Sequence, residues 1–246
     1  MFRLLTAAFL MIALPASAFD VSAMTEAERS AFREEIRAYL LENPEVLVEA
    51  INALEEREAQ AEALADGEKI IANAAAIYED GHSWVGGNPE GDVTIVEFLD
   101  YRCGFCRRAH PVISELLETD KNVRLIVKEF PILGEDSVMA SRFALAVKAL
   151  HGDDAYKTVH DKLMELRAGM NEVSLTSLAE REGLDPAAIF AEMESPAITE
   201  VIETNRALGR TLEINGTPSF IVGDQVLRGF LPIEGMRAVV DATREG

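Results

Sequence analysis

Cys103 and Cys106 are the only two cysteines in the chain, and they stand three residues apart in Cys103-Gly104-Phe105-Cys106. Chemistry from such a pair depends on where it sits. The near-continuous apolar run Val93-Thr94-Ile95-Val96-Glu97-Phe98-Leu99 reads as a central strand covered on both faces. A helix is predicted to start near Cys103 and to run past Leu116, bent at Pro111, which removes one backbone donor. At a helix N-terminus the partial positive charge and the unpaired N–H groups both favour a thiolate. Cys103, first in the helix, gains most and is expected to be the exposed nucleophile, with a pKa in the range of about 3.5–7.5 known for such thiols. Cys106, one turn in, is expected to be the buried resolving thiol. Thiolate attack on a disulfide gives a mixed disulfide, which the second thiol releases.

Two other uses of the pair stay open at this point. One is a structural disulfide, although closing so small a loop gains little chain entropy. The other is a metal site, since His110 follows Cys106 by four residues on one helical face. Structural zinc needs four ligands, and His82, His151 and His160 show no paired spacing, so no metal centre and no cofactor is expected. Copper(I) held by the two thiolates remains, because soft ligands favour it, although the eight methionines are scattered rather than clustered.

Glu97 is a carboxylate inside an apolar strand, where burial is expensive. Six residues before Cys103, it is a candidate for a buried group with a raised pKa that shuttles the proton of Cys106; an exposed strand edge is the plainer alternative. Lys128, in a second β-branched strand at Val123 to Val127, is a candidate charge partner for Glu97 or else a surface lysine. Asn215-Gly216-Thr217-Pro218-Ser219-Phe220 follows a helix and opens a strand. Its X-Pro bond is a candidate cis peptide whose preceding residue could pair with an incoming extended chain, although cis makes up only about 5–6% of X-Pro bonds in folded proteins.

The rest of the chain must position these residues. Residues 1–18 hold Arg3, an apolar stretch from Leu4 to Leu14 and an Ala16-Ser17-Ala18 ending, which reads as a secretory signal peptide, so the mature chain is expected to start at Phe19. The apolar stretch is shorter than the roughly 20 residues that span a bilayer. With 43 acidic residues against 23 basic ones the net charge is −20, which makes nucleic acid and anionic membrane surfaces poor partners. Residues 19–80 carry 16 acids and 5 bases, about half of the net charge on a quarter of the length. That segment is read as a helical arm. Thr25-Glu26-Ala27-Glu28 is a capping box, Phe32, Ile36, Tyr39 and Leu40 recur at helical spacing, and Asn43-Pro44 offers a cap and first-turn proline for a second helix. Leu47, Ile51 and Leu54 make a thin seam that Glu58 breaks; such an arm must dock on the main domain or on copies of itself, the bland alternative being a solvated acidic linker.

A turn-rich boundary from Gly81 to Gly91 separates the arm from a strand–helix–strand unit whose two strands should pair in parallel. From Gly134 to about Arg210 the pattern is wholly helical. Ser174 is read as the cap of a helix ended by Gly183, and Asp185-Pro186 and Ser195-Pro196 each start another. A strand from Pro218 to Val222, a turn at Gly223-Asp224, a strand from Gln225 to Arg228 and a helix from Pro232 to about Thr243 complete an α/β sandwich interrupted in its middle.

Taken with Glu97, the CGFC at 103–106, the Gly-Thr-Pro at 216–218 and the helical insertion, the chain resembles the DsbA family of thioredoxin-fold thiol–disulfide oxidoreductases. It is more similar to the branch that contains the suppressor of copper sensitivity protein C and the Com1-like proteins. The resemblance runs from about Asp92 to the C-terminus, on Val-Glu-Phe-Leu-Asp-Tyr-Arg-Cys-Gly-Phe-Cys and on Lys-Glu-Phe-Pro-Ile-Leu-Gly at 128–134. The Asn-Pro-Glu-Val at 43–46 resembles the branch's N-terminal region, which some members use to form trimers. The resemblance implies a thioredoxin fold over 81–246 with a helical subdomain inserted at about 134–210, a cis Pro218, and a Thr217 that helps set redox poise. Gly104, Phe105, Thr217 and Pro218 would then contact substrate, and Glu97 would be the buried proton-transfer group. Gly104-Phe105 departs from the Pro-His pair of the strongly oxidising members, and threonine before the proline is more like the isomerases.

The expected function is therefore a periplasmic thiol–disulfide oxidoreductase acting on cysteines of exported proteins through Cys103, isomerase or reductase favoured and dithiol oxidase the alternative. Its expected partners are those clients, a membrane redox protein and, through residues 19–80, two further copies of itself. A copper(I)-binding module using the same thiols is the rival of another class, and an interaction protein whose acidic arm takes a basic partner is the third.

Overall fold

The computed structural model describes residues 21–167 and 169–245; the segment read as a signal peptide lies outside them. No described helix is long and apolar enough to cross a membrane. The chain divides after Glu58 into two compact units.

The first unit holds a 3-10 turn at Val21–Ala23, α1 at Glu26–Glu42 and the start of α2, which spans Glu45–Ala72. Thr25 opens α1 with the full capping box: its hydroxyl accepts from Glu28 N, and the Glu28 carboxylate accepts from Thr25 N. Asn43 does not open α2 as the sequence suggested. Its side-chain and backbone N–H groups both donate to Tyr39 O, at 2.9 and 2.8 Å, satisfying a free carbonyl at the end of α1, and α2 starts after Pro44. No residue of α1 is buried.

In the second unit the end of α2 is followed by α3 (Ala74–Tyr78), β1 (Trp84–Gly87), β2 (Val93–Leu99), α4 (Gly104–Thr119) and β3 (Val123–Glu129). Five helices follow one another: α5 (Glu135–His151), α6 (Asp153–Glu165), α7 (Glu172–Arg181), α8 (Pro186–Met193) and α9 (Pro196–Thr211). The hairpin β4 (Ser219–Val222) and β5 (Gln225–Arg228) and the helix α10 (Ile233–Glu245) close the unit. The sheet order is β1-β3-β2-β4-β5, with β2 and β3 parallel as the strand–helix–strand pattern requires, and the other pairs antiparallel. This is a thioredoxin-like fold with a helical insertion.

β1 falls in the stretch read as a turn-rich boundary. Gly86 and Gly87 mask it in sequence, yet Gly87 is demanded by the pairing: its φ is +68°, and a Cβ there would meet Val123 O at 2.4 Å. Ser174 is not the cap of α7. Asn171 is, its side chain accepting from Ser174 N while the Ser174 hydroxyl accepts from Asn171 N, so the serine sits one turn inside as the returning half of the box. Asp185 and Ser195 cap α8 and α9 as read, each with proline in the first turn.

Alternation along β2 and β3 feeds two separate cores. Val93, Ile95, Leu99, Leu125 and Val127 point to the side of α4, α5, α6 and α10. Val96, Phe98 and Ile126 point to the side where Ile70, Ile77, Leu208 and Leu212 pack. The register pairs Glu97 with Val127 and Phe98 with Lys128. Glu97 and Lys128 therefore face opposite sides of the sheet, and Lys128 is not the partner of Glu97.

Candidate active site

The strand β2 ends at Leu99, and Asp100 turns the chain into α4. Asp100 is fully buried, and its carboxylate accepts from Arg102 N at 2.8 Å, Ser137 Oγ at 2.8 Å, Ile132 N at 2.9 Å and Leu133 N at 3.0 Å. One side chain thus ties the approach to α4 to the loop after β3. Cys103 is the N-cap of α4, and its N–H donates to Asp100 O at 3.0 Å. Both cysteines are free thiols, and both are buried: Cys103, expected to be exposed, keeps only 7% of its surface open because the Thr217–Pro218 loop packs against its sulfur.

The two sulfurs have opposite acidities. Cys103 is held down to about 5, first by a hydrogen bond with the Cys106 thiol, with burial opposing and the Thr217 side chain and the N–H groups of Cys106 and Phe105 assisting. Cys106, with none of its surface exposed, is pushed far above the ordinary thiol value by burial, then by its bond to Cys103 and by the Glu97 carboxylate. At neutral pH Cys103 is the sulfur held as a thiolate and Cys106 stays protonated.

The Thr217–Pro218 peptide is cis, and in its thiol form Cys103 Sγ donates to Thr217 O at 3.0 Å. Pro218 O accepts from Gly229 N at 2.9 Å, which fixes the loop against the end of β5. Gly104 has open space around it, and Phe105 is 53% exposed beneath the Arg108 guanidinium, 4.1 Å from the ring centroid. Ile132 and Leu133 are the other exposed apolar residues on the loop that Asp100 holds. Chain positions 103, 104, 105, 217 and 218 converge on one rim.

Glu97 is buried on the same side of the sheet as α4. Burial first, and then the neighbouring Glu129, raise it to about 8, and its Oε1 meets no hydrogen-bond partner among the described residues. Glu129 was not singled out in the sequence. It too is buried and raised, to about 7, by burial against the pull of Tyr101 and Tyr156, whose hydroxyls both donate to its Oε1 at 2.7 Å. The signal for it is parity: with β2 and β3 in register, positions 97 and 129 share a face. Lys128 instead meets Asp80 and Ala76 O on the other face, the latter at 2.8 Å.

Residues 94–241 match the DSBA-like thioredoxin domain, and residues 28–61 match the copper resistance protein ScsC N-terminal domain. Among solved structures the chain is similar to a thioredoxin-like oxidoreductase from Silicibacter pomeroyi DSS-3, with 40% identity and a TM-score of 0.66 over 70% of this chain and 98% of that one. It is also similar to a periplasmic thioredoxin-like protein from Salmonella enterica serovar Typhimurium, with 29% identity and a TM-score of 0.64 over 70% of this chain and 96% of that one. A curated relative, Na(+)/H(+) antiporter NhaA 1 of Salinispora arenicola, is 30% identical over 163 residues, 66% of this chain and 25% of the antiporter. The chain spans about a quarter of the length of the first curated relatives it matches.

Proposed function

Because the chain belongs to the family of DsbA-like thioredoxin-domain proteins, we propose that it is a thiol–disulfide oxidoreductase that works in the periplasm on exported proteins. The observation that carries this reading is Cys103 at the cap of α4, with its acidity lowered to about 5 and its sulfur 3.0 Å from Thr217 O beside Pro218. The Cys103 thiolate attacks one sulfur of a substrate disulfide; a Cys103–substrate bond forms, the substrate S–S bond breaks, and the departing sulfur leaves as a thiolate. In isomerisation that thiolate attacks another disulfide of the substrate, the sulfur freed there attacks the substrate sulfur of the Cys103–substrate bond, and Cys103 leaves as the thiolate, so the enzyme is released unchanged. In reduction Cys106 gives its proton to the Glu97 carboxylate and attacks Cys103 Sγ, so the protein ends with a Cys103–Cys106 disulfide and the substrate gains two electrons. A carboxyl raised to about 8 is suited to this exchange, since a base works best with a pKa near the ambient pH.

Isomerase or reductase is favoured over oxidase because threonine precedes the cis proline and Gly104-Phe105 stands between the sulfurs. The first unit supports assembly into a trimer: Leu41, Val48, Ile51 and Leu54 are all more than half exposed there. Residues 1–18 are read as the export signal, and a membrane redox protein would keep the thiols reduced.

The test pairs refolding of a scrambled multi-disulfide substrate with oxidation of a reduced one. Recovery of the first without speed in the second means isomerase, and the reverse means oxidase. Copper(I) uptake with turnover of neither would replace the enzyme by a metal-binding module. Cys103→Ser should abolish both activities, and Cys106→Ser should trap the mixed disulfide. Alkylation of Cys103 should titrate with a midpoint near 5. Because that pKa lies below the unfolded value of 9.0, the thiolate stabilises the reduced fold fully above pH 9 and loses this contribution as pH falls toward 5. Light scattering of the mature chain against a chain starting at Ala59 tests the arm: two monomers would remove it from any role in assembly.

A further inference from the structure

On the flank of α4 away from its N-terminus, His110 comes together with two residues that lie fifty places further along the sequence, His160 and Asp161 on α6. One ligand atom from each lies within 4.8 Å of the other two. His110 Nε2 stands 3.2 Å from Asp161 Oδ1, and the two imidazole rings are 5.1 Å apart. We propose that His110, His160 and Asp161 form a binding site for a divalent transition cation of the borderline class, such as zinc, separate from the cysteine pair.

Three features carry this. The first is the donor set: two imidazole nitrogens and one carboxylate oxygen suit zinc, which takes three protein ligands and a water in open sites. The second is how His160 is held. Only 4% of its surface is exposed, and its Nδ1 lies 3.0 Å from the Tyr101 hydroxyl, which itself donates to Glu129 Oε1. A hydroxyl that spends its proton on Glu129 accepts from His160 Nδ1–H, and this tautomer leaves Nε2 with a free lone pair for a metal. The carboxylate–tyrosine–histidine order is a second coordination layer already built. The third is access and charge. A cavity of about 550 Å³ is lined by His110, Asp161, Glu115, Glu118, Glu165 and Lys157. Three further acids thus line the way in, two of them paired at the rim, Glu115 with Arg237 and Glu165 with Lys162, while on the site itself Lys157 Nζ holds Asp161 Oδ1 at 2.7 Å and Oδ2 at 2.5 Å. A bound cation needs one of those oxygens, so Lys157 must give up part of its grip.

Titration of Zn²⁺ into the oxidised full chain isolates this site, because the Cys103–Cys106 bond removes both sulfurs as ligands. The wild type is expected to bind one equivalent. His110→Ala, at a partly exposed position, should abolish saturable binding. Tyr101→Phe, which leaves all three ligands in place, should weaken it by roughly 10–100-fold as loss of an outer-layer partner does. Lys157→Gln should tighten it. Histidine ring resonances followed during the titration give a second reading, with His110 and His160 moving together. No saturable uptake by the oxidised wild type, or uptake unchanged in His110→Ala, overturns the site; neither result bears on the thiol chemistry.

Discussion

The two faces of the central sheet both bury charge, and they do so in opposite ways. On one face Lys128, with none of its surface exposed, meets Asp80, which His82 and Ser83 also hold. Burial alone would raise Asp80, but those donors override it and keep the carboxyl far below the usual range. On the other face Glu97 and Glu129 are buried with no cation beside them among the described residues, and burial lifts both toward neutrality. A compensated charge is a structural device with a fixed protonation state. Two acids lifted toward neutrality, one of them acting on the Cys106 thiol, can change protonation near neutral pH, and under the proposed mechanism Glu97 is the proton reservoir. The difference teaches which buried charge is free to titrate near neutral pH and which is fixed.

The largest effect should come from the compensated face. Lys128→Met keeps the aliphatic volume but leaves the half-buried Asp80 with only His82 and Ser83 to hold it, which costs about 3 kcal/mol, the low end for losing one partner of a buried pair. Urea unfolding at pH 7 reads this directly, and Lys128→Met combined with Asp80→Asn should recover most of the loss. The Cys103 alkylation midpoint should stay where it is. A midpoint that moved with Lys128 would mean the two faces communicate and would break the contrast.

Glu97→Gln should do the reverse, with a smaller effect on the fold and a clear one on chemistry. Release of the mixed disulfide by Cys106 should slow on the order of 100-fold, the low end for loss of a proton-transfer group. Its stability effect has a sign set by the raised pKa. Folding favours the protonated form, so wild-type stability is unpenalised below the unfolded value of 4.5 and falls as pH climbs from there to about 8. Glu97→Gln removes that slope, on the order of 1 kcal/mol per pH unit or about 2 kcal/mol between pH 5 and pH 7. If the two stability curves run parallel across this range, Glu97 is no proton reservoir.

The cysteines and the fold around them were legible because their signals are local. A strand, a helix start and a three-residue spacing put Cys103 and Cys106 in their places, and the cap-plus-proline pairs fixed α8 and α9. What was hidden depends on pairing. Glu129 sits beside a lysine in a strand, and only the register with β2 shows that it shares a face with Glu97 while Lys128 does not. Tyr101 lies between β2 and α4, whereas Tyr156 and His160 sit one turn apart on α6, and no spacing along the chain joins Tyr101 to that pair. β1 was missed because its two glycines look like a turn, although Gly87 is required by a close approach to Val123 O. Asn43 and Asn171 show the same limit at helix ends: Asn43 closes the helix before it rather than opening the one after, and Asn171, three residues ahead of Ser174, supplies the cap read for the serine.

The smallest effect sharpens the uncompensated face from within. Tyr101→Phe and Tyr156→Phe each remove one of the two hydroxyls on Glu129 Oε1, so each leaves that carboxylate with a single donor. Both variants should lose about 1 kcal/mol at low pH, where Glu129 is neutral, and about 2 kcal/mol above its raised pKa, where the lost bond was to a charge. The deficit therefore grows as pH rises through about 7. The two differ in one respect, because only the Tyr101 hydroxyl also faces His160 Nδ1. Tyr156→Phe should thus match Tyr101→Phe in unfolding experiments and leave Zn²⁺ uptake by the oxidised chain intact. Equal losses of uptake in both would mean that Glu129 acts through general packing rather than through the tautomer of His160.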